Sequence, residues 1–413
     1  MELKNTVELI SNGKTYSLVK SIKVSKSLDG IAGSFEAVIA NDRIDDLPIH
    51  VQDEIVIKIN GEQVISGLVN KIDVDYSSDS SGNVSHNIKI SGFDYTISVV
   101  QGQIFSNSQY ASPISLKKLY EKVLEDNGII NIKVIDKSTR TEFTDISGIV
   151  TLLASDVDKK VVILTVPEST EISANTGDTI FSFMDKYARL LGVILGGDGN
   201  SAITIDEASS AFSKEFKGPT LVNKFGANNN VRILSGGSSR DYSNRFNKVL
   251  VFSQNDGGGQ GDKGSGIMGI ASDDVAKSGS KVIIADTVLD KTKADAMAKW
   301  EVRQRRANSI NYHCAVQGFS ADGKEIWKPG MVVDIQDDYA GVASRMKLRS
   351  VAFTLDETGT VTSLDFVPKD SYTDRDVDIA ISNYDKIPEQ RNRLDLITSG
   401  LDFTFSERIN NLR

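Results

Sequence analysis

Residues 330–369 decide the fold of this chain: GMVVDIQDDYAGVASRMKLRSVAFTLDETGTVTSLDFVPK. Met331, Val333 and Ile335 occupy alternate positions, which predicts a half-buried strand. A second apolar run ends at the short turn 356–359, and a third follows it directly. A connection this short cannot make a parallel crossover, so the stretch predicts an antiparallel meander of a short, a long and a returning strand.

The long strand contains a phase slip. Its apolar side chains alternate in one phase up to Leu348 and in the other from Val351 onward. An extra residue in one strand of an antiparallel pair produces this shift, so we predict a β-bulge at Arg349–Ser350.

Residues 53–93 repeat the same order of elements. A short apolar run, a turn at Asn60–Gly61, a long run and a return strand follow one another with similar lengths. This order predicts that the chain carries two equivalent β modules. Residue identity between the two stretches is low, so chance similarity of two meanders remains an alternative.

Composition limits the classes of function. The chain has 413 residues, 39% hydrophobic and 25% charged, which is typical of a soluble globular protein of several domains. The net charge of −9 disfavours a general binder of nucleic acid or anionic membranes. Neither a signal peptide nor an apolar run long enough for a membrane span is evident. A single cysteine, Cys314, excludes an intrachain disulfide and fits synthesis in a reducing cytosol.

The period of the apolar residues divides the chain. We predict a mainly β protein with α+β character: two related β domains, the first with enough strands to close a small barrel or sandwich, separated by a mixed α+β domain and followed by an extension. The first β domain covers 1–100. The mixed domain covers 101–222 and has two helix–Gly–strand units, with helices capped by Ser112 and Asp178. The second β domain covers 223–370, and the extension covers 371–413.

Two features interrupt the second β domain. Residues 255–266 form a glycine-rich loop, and 291–307 form a helix. The loop resembles a phosphate-binding loop only superficially, because the Gly-Lys-Ser/Thr order that opens a helix is missing. The extension is polar with sparse apolar residues, which indicates a segment that docks on another surface.

Residue types used in catalysis are present but scattered. The three histidines, at 50, 86 and 313, are far apart and lack metal-ligand spacing. Cys314 lies on the apolar phase of its strand, which predicts a buried, inert thiol. Carboxylate pairs such as Asp73 and Asp75 fit a solvated strand face as well as an acid–base pair. We therefore predict no catalytic residue, metal site or cofactor.

Arg303, Arg305 and Arg306 form the compact basic cluster of the sequence. They lie in the last turn of the 291–307 helix, where positive charge interacts favourably with the helix dipole. Arg303 and Arg306 also share one helix face, so they are candidates for binding a carboxylate on a neighbouring subunit.

Several stretches resemble one protein family, the baseplate hub proteins of Mu-like contractile phage tails. The C-terminal likeness lies in NRFNKV (244–249), WEVR (300–303), VQGF (316–319), DG (322–323), WKPG (327–330) and FVP (366–368). GDTIF (177–181) and LLGV (190–193) resemble the middle domain of that family, and GIAGSF (30–35) resembles its first barrel. The glycine-rich loop and the extension depart from the pattern.

The resemblance implies a structural role. The family is similar to the T4-type hub and to the hub part of type VI secretion spikes, in which a homotrimer presents two barrel-like tube domains per chain. The resemblance therefore implies that the two β domains of this chain are related β-barrels of the tube type. It implies a virion protein of the tail baseplate, with the central spike, tail tube, tape-measure and baseplate wedge proteins as partners. DNA would be transiting cargo, and no stable membrane insertion is expected.

Alternative functions remain open at this point. A carbohydrate-binding receptor protein at the tail tip would expose clustered loop aromatics, and a cell-wall hydrolase would need an acid–base pair. The hub of a phage-derived injection device is a further alternative. For a hub, we expect acidic and hydroxyl side chains of the two meanders to line the channel, with the lysines and arginines elsewhere, because a basic wall would retain DNA.

Overall fold

The computed structural model describes residues 5–16, 19–41, 49–78, 84–112, 114–137, 150–154, 160–166, 172–191, 193–207, 218–224, 233–253, 266, 268–277, 279–285, 291–320 and 325–369. The predicted extension 371–413 and nearly all of the glycine-rich loop 255–266 lie outside these residues. The described part is mainly β, with few helices.

The elements follow in chain order. The N-terminal third contains β1 (Val7–Ser11), β2 (Lys14–Tyr16), β3 (Val19–Ser27), β4 (Ser34–Asn41), β5 (Glu54–Ile59), β6 (Glu62–Ser78), β7 (Val84–Asp94) and α1 (Ile97–Gln101). The middle contains β8 (Ser108–Tyr110), β9 (Ile114–Ser115), α2 (Leu116–Asp126), β10 (Lys133–Asp136), β11 (Val150–Ala154), β12 (Lys160–Val166), β13 (Ile172–Ala174), α3 (Ile180–Leu191), β14 (Val193–Gly197) and β15 (Ala202–Glu207). The remainder contains β16 (Leu221–Asn223), β17 (Ile233–Arg240), β18 (Lys248–Phe252), β19 (Met268–Ser272), β20 (Ser280–Ile284), α4 (Lys291–Asn308), β21 (Ile310–Gln317), β22 (Val332–Asp337), β23 (Val342–Asp356) and β24 (Gly359–Pro368).

One 13-stranded sheet runs through both ends of the chain. Its order is β17-β21-β24-β23-β3-β4-β7-β6-β5-β1-β2, and β22 pairs with β23 and β16 with β22 as a branch. The N-terminal and C-terminal strands meet where β23 pairs antiparallel with β3. Their buried side chains form one continuous hydrophobic cluster.

The two predicted modules have the same strand order. We call β3–β7 the N-module and β17 with β21–β24 the C-module. In the N-module the order across the sheet is β3-β4-β7-β6-β5, and in the C-module it is β17-β21-β24-β23-β22. In both modules, the strands that follow one another across the sheet are the first, second, fifth, fourth and third of the module in chain order. Two meanders that were alike only by chance would not be expected to share this arrangement, so it supports duplication.

The β-bulges also correspond. The β23–β24 register shifts between Leu348 and Ser350, which confirms the bulge predicted at Arg349. The β6–β7 register shifts in the same way between Val69 and Lys71, at Asn70. The β3–β4 register shifts at Lys20, and the β17–β21 register shifts at Leu234. Counting from these bulges aligns the modules residue by residue.

The described strands do not form the two closed barrels that we predict from the sequence. Neither module closes on itself, because β3, at the end of the N-module, pairs with β23 of the C-module instead. The edge that would complete one barrel is therefore used to join the two modules. Sequence periodicity predicts which face of a strand is buried, but it does not predict which other strand pairs along its edge.

The middle of the chain packs separately. Its core is formed mainly by α2, α3 and their flanking strands, with Ile31 contributed from the N-module. Two predicted caps are corrected. The N-cap of α2 is Ser115, whose hydroxyl accepts a hydrogen bond from Lys118 N at 3.3 Å, because Ile114 and Ser115 first pair with β12. At α3, the Thr179 hydroxyl accepts from Ser182 N at 3.0 Å, so Thr179 takes the place predicted for Asp178.

The segment between β17 and β21 forms a small unit of its own. The strands β18, β19 and β20 form a three-stranded sheet, and α4, which matches the helix predicted at 291–307, packs against it. Alanines 294 and 298 of α4 are fully buried against this sheet. The region predicted as one barrel domain thus also contains an α+β unit with a separate core.

The β14–β15 turn, GGDGN (196–200), fixes the middle domain to the N-module. Lys26 Nζ donates to Asp198 O at 2.8 Å and to Val64 O at 3.1 Å. Burial lowers the pKa of Lys26, although nearby carboxylates oppose the change. Gly197 passes so close to the Ile31 backbone that an added Cβ would lie 1.8 Å from Ile31 O.

We expect Gly197→Ala to destabilise the protein by about 1–3 kcal/mol, because its methyl group would overlap a backbone carbonyl that cannot move independently. Urea unfolding followed by tryptophan fluorescence measures the loss. Gly266→Ala is the matched control, since its Cβ would meet its nearest neighbour at 3.7 Å. Equal unfolding midpoints for the two variants would contradict the close approach described.

Candidate functional site: the junction and polar face of the continuous sheet

The β3–β23 junction holds the two modules side by side. Six consecutive pairs run from Ser350 opposite Ser27 to Leu355 opposite Ile22. On the inner face, Val24 and Phe353 lie directly opposite each other and are 0% and 1% exposed. The apolar cores of the modules are therefore continuous across the junction.

An ion pair closes one end of the junction. Arg349, the bulged residue, donates from Nε to Asp29 Oδ2 at 2.8 Å, and its Nη2 lies 2.7 Å from the same oxygen. Ser27 also donates to this carboxylate. Burial raises the pKa of Asp29, but the bonds from Arg349 and Ser27 outweigh it and hold the pKa below its usual value. The 320-residue separation of Asp29 and Arg349 left no sequence signal for this pair.

The outer face of the sheet is a polar surface that crosses the junction without a break. In one row, directly opposite residues on successive strands are Thr354, Lys23, Glu36, Ser91 and Lys71. We call this outer face of β3, β4, β6, β7, β23 and β24 the polar face.

Two lysines of the polar face, Lys71 and Lys89, are paired with carboxylates. Lys89 Nζ lies 2.9 Å from Glu36 Oε1, and Lys71 Nζ lies 2.6 Å from Asp73 Oδ2. The hydrogen bond with Glu36 raises the pKa of Lys89, so its charge is retained. Ser350 donates to Asp365 at 2.6 Å. Lysines thus share this face with the carboxylates, and exposed pairs of this kind contribute little stability but remove local net charge.

A buried charge cluster fixes the small unit to the loop after β17. Arg245 donates to both oxygens of Asp273, at 2.8 and 2.7 Å, and Arg306 Nη2 lies 3.2 Å from Asp273 Oδ1. Arg245 and Asp273 side chains are 1% and 2% exposed. Burial raises the pKa of Asp273, but the two arginines outweigh it and keep the carboxylate ionised.

The two arginines predicted as interface candidates have different surroundings. Arg306 belongs to the buried cluster and is 11% exposed, whereas Arg303 is half-buried on α4. Sequence reasoning missed Arg245 and Asp273 as partners, because they are 28 residues apart and lie in different loops.

Residue types associated with catalysis are not brought together. Within the described ranges, no cluster of three or more His, Cys, Asp or Glu side chains could hold a metal ion, and no helix is long and apolar enough to cross a membrane. Burial raises the pKa of Cys314 to about 12, so its thiol is protonated at neutral pH. A cavity of about 350 Å³ beside Arg189 and Trp300 is lined by polar side chains of α3, α4 and their neighbours.

Asp273→Ala should destabilise the protein by about 3–5 kcal/mol, because Arg245 and Arg306 would remain buried without their shared carboxylate. The thermal unfolding midpoint and urea unfolding would measure the loss. The adjacent Asp274 is exposed, so Asp274→Ala should have little effect. A similar loss in both variants would show that the buried cluster is not the cause.

Both ends of the chain match known families. Residues 6–94, which span the N-module strands together with β1 and β2, match the N-terminal domain of Mu phage baseplate assembly protein GpP-like proteins. Residues 290–375, which contain α4 and β21–β24, match the fourth domain of Mu phage baseplate assembly protein GpP.

Individual relatives extend the likeness along the chain. The baseplate hub protein gp44 of Escherichia phage Mu is 22% identical over 382 residues, which cover 90% of this chain and 89% of that protein. The 43 kDa tail protein of prophage MuSo2 from Shewanella oneidensis has a similar fold, with a TM-score of 0.65, 20% identity and coverage of 89% and 99% of the two chains. A tail protein from Neisseria meningitidis MC58 has a TM-score of 0.67, 17% identity and coverage of 87% and 95%.

These findings agree with the architecture described above and with the resemblance drawn from the sequence motifs. The matched segments include both strands of the module junction, β3 and β23, and the near-complete coverage of the phage Mu relative includes the middle domain. The chain thus matches the N-terminal and fourth domains of the Mu phage baseplate assembly protein GpP at its two ends, is similar to the phage Mu baseplate hub protein over 90% of its length, and is a structural component of the phage tail baseplate.

Proposed function

We propose that this chain forms a homotrimeric hub that adapts a six-fold tail tube to a three-fold central spike and lines part of the channel for genome delivery. The observation that carries the proposal is the pair of modules with one strand order, joined side by side in one sheet. Three chains would present six such modules. A closed ring of this kind can be three-fold in its chains and close to six-fold in its modules.

The polar face is the proposed channel wall. It is continuous across the module junction, and the sheet's other face is occupied by the shared core. The paired charges refine the expectation of an acidic wall: Lys71 and Lys89 lie on this face, but each is neutralised by a carboxylate. A wall with little net positive charge would release few counterions from DNA and would retain it weakly.

The partners follow from this arrangement. One rim of the ring would meet the tail tube, the other the spike, and the outer side the wedge proteins, while DNA and the tape-measure protein pass through. Arg303 and Arg306 remain proposed subunit-contact residues. Arg306 is 11% exposed and contacts Asp273 within the chain, and Arg303 is half-buried on α4.

The purified protein, alone or with its cognate spike, should have the mass of three hub copies by multi-angle light scattering. The physical reason is that six equivalent modules require three chains. Particles with two or six hub copies in the hub–spike complex would contradict the proposed symmetry adaptation.

Phage carrying Glu36→Lys with Asp73→Lys should assemble normally but eject DNA several-fold more slowly, because the substitutions leave lysines on the wall without carboxylate partners. Time-resolved DNA release from purified particles measures the effect, which should weaken as salt is raised. The matched control is Glu121→Lys with Glu125→Lys, which makes the same charge change on the exposed side of α2. Ejection at the wild-type rate in the first variant would reject the electrostatic role of the wall.

A further inference from the structure

Among the described residues, β17 and the far half of β6 each have a strand edge along which no partner strand lies. β17 pairs with β21 along one edge, and no described strand lies along the other. β6 pairs with β7 up to Ser78, but β5 covers its opposite edge only as far as Leu68. From Lys71 onward that edge also carries no strand of the described residues. A strand edge without a partner strand is a place where another strand can add to a sheet.

The chain contains a template for joining these edges. By strand order and bulge position, β17 is the counterpart of β3, and β6 is the counterpart of β23. Within the chain, β3 and the far half of β23 pair antiparallel. The same pairing between chains would bring β17 of one copy onto the far half of β6 in its neighbour.

Differences in burial between the modules point to the same contact. Phe353 is 1% exposed beneath the junction, whereas its counterpart Val74 is 47% exposed. Tyr76, the counterpart of the half-buried Leu355, is 77% exposed. The N-module thus leaves open to solvent the apolar positions that the C-module buries beside β3. A strand along this edge would cover them.

We propose that β17 of one copy adds as an antiparallel strand to residues 71–76 of β6 in the next copy, and that these contacts close the hub ring. The inference rests on the trimer proposed above and identifies the surface that joins its chains. The register transferred from the β3–β23 junction places Ile72 opposite Arg240, Asp73 opposite Ser239, Val74 opposite Ser238, Asp75 opposite Gly237 and Tyr76 opposite Gly236.

Side-chain chemistry fits this register at both ends. Lys71 would lie opposite Asp241, the residue after β17, and opposite charges across a strand pair are favourable. Tyr76 would lie over Gly236, where an aromatic ring can cover a cross-strand glycine that has no side chain.

The β17 end is held in place before it binds. Asp241 N donates to Ser309 O at 2.8 Å, and the following loop is anchored through Arg245 on the buried Asp273. A pre-positioned strand loses less conformational freedom on binding than a mobile one.

The proposed contact is heterologous, because each copy uses β17 on one side and β6 on the other. A heterologous contact closes only when the rotation between copies divides a full turn. Three chains complete the ring if the interchain junction repeats the intrachain one and each junction turns the next module by one sixth of a circle. The intrachain junction therefore sets the geometry that the interchain junction repeats.

Disulfide trapping tests the register. Antiparallel partners have Cα atoms within the range that a disulfide spans. In a Cys314→Ala background, full-length Asp73→Cys with Ser239→Cys should oxidise to a covalent trimer on a non-reducing gel. Asp73→Cys with Ser235→Cys, shifted by four residues along β17, should not cross-link. Co-expressed single variants, Asp73→Cys and Ser239→Cys, should give dimers but no covalent trimer.

The outcomes separate this inference from the proposed function. If light scattering shows a trimer but Asp73→Cys cross-links with Ser235→Cys, or with neither Ser235→Cys nor Ser239→Cys, the proposed register is wrong. The trimeric hub is unaffected by that outcome. Absence of a trimer both alone and with the spike overturns both. Hydrogen exchange on the unsubstituted trimer provides a second measurement. The amides of residues 71–76 and 235–240 that point away from β7 and β21 should be protected by the neighbouring copy. Exchange of all these edge-facing amides at solvent rates overturns the strand pairing.

Discussion

The pairing of β3 with β23 is the constraint on which the architecture depends. It joins segments more than 300 residues apart through six consecutive backbone pairs, a continuous apolar core and the Asp29–Arg349 ion pair. Because the β-strand period is two, a one-residue slip here would place the apolar face of one module on the same side of the sheet as the polar face of the other. The junction therefore fixes the relative position of the two modules and, through them, the continuity of the polar face.

The rest of the chain supports this arrangement from its sides. The middle domain is inserted between the modules, and its GGDGN turn fits against the N-module through Lys26 and the close approach of Gly197. The small α+β unit is inserted within the C-module, between β17 and β21, and the Arg245–Asp273–Arg306 cluster anchors it beside the end of β17. Within the described residues, neither insertion places a strand along the free edge of β17 or of the far half of β6.

The proposed function depends on the two repeated modules and on the surfaces that they present. The ionisable side chains stabilise that arrangement. Titratable groups with shifted pKa values are held in structural roles: Asp29 at the module junction, Lys26 at the domain contact and Asp273 in the buried cluster. Each is paired or hydrogen-bonded within the chain, and none lies in a constellation suited to turnover. This distribution fits a family of baseplate components whose work is assembly.

The sequence by itself determined the local structure: the alternation that makes the strands, the phase slip that places the Arg349 bulge, the apolar phase that buries Cys314 and the order of elements that repeats between the modules. These features depend on neighbours in the chain, so periodicity and turn chemistry are sufficient to predict them. Only the tertiary structure decided that the two modules share one open sheet, that Asp29 meets Arg349, that Arg306 is buried against Asp273 and that lysines share the polar face with carboxylates. Those outcomes depend on which edges meet in space, and an edge strand's backbone groups can pair with almost any other strand, so the choice is made by packing of the whole chain.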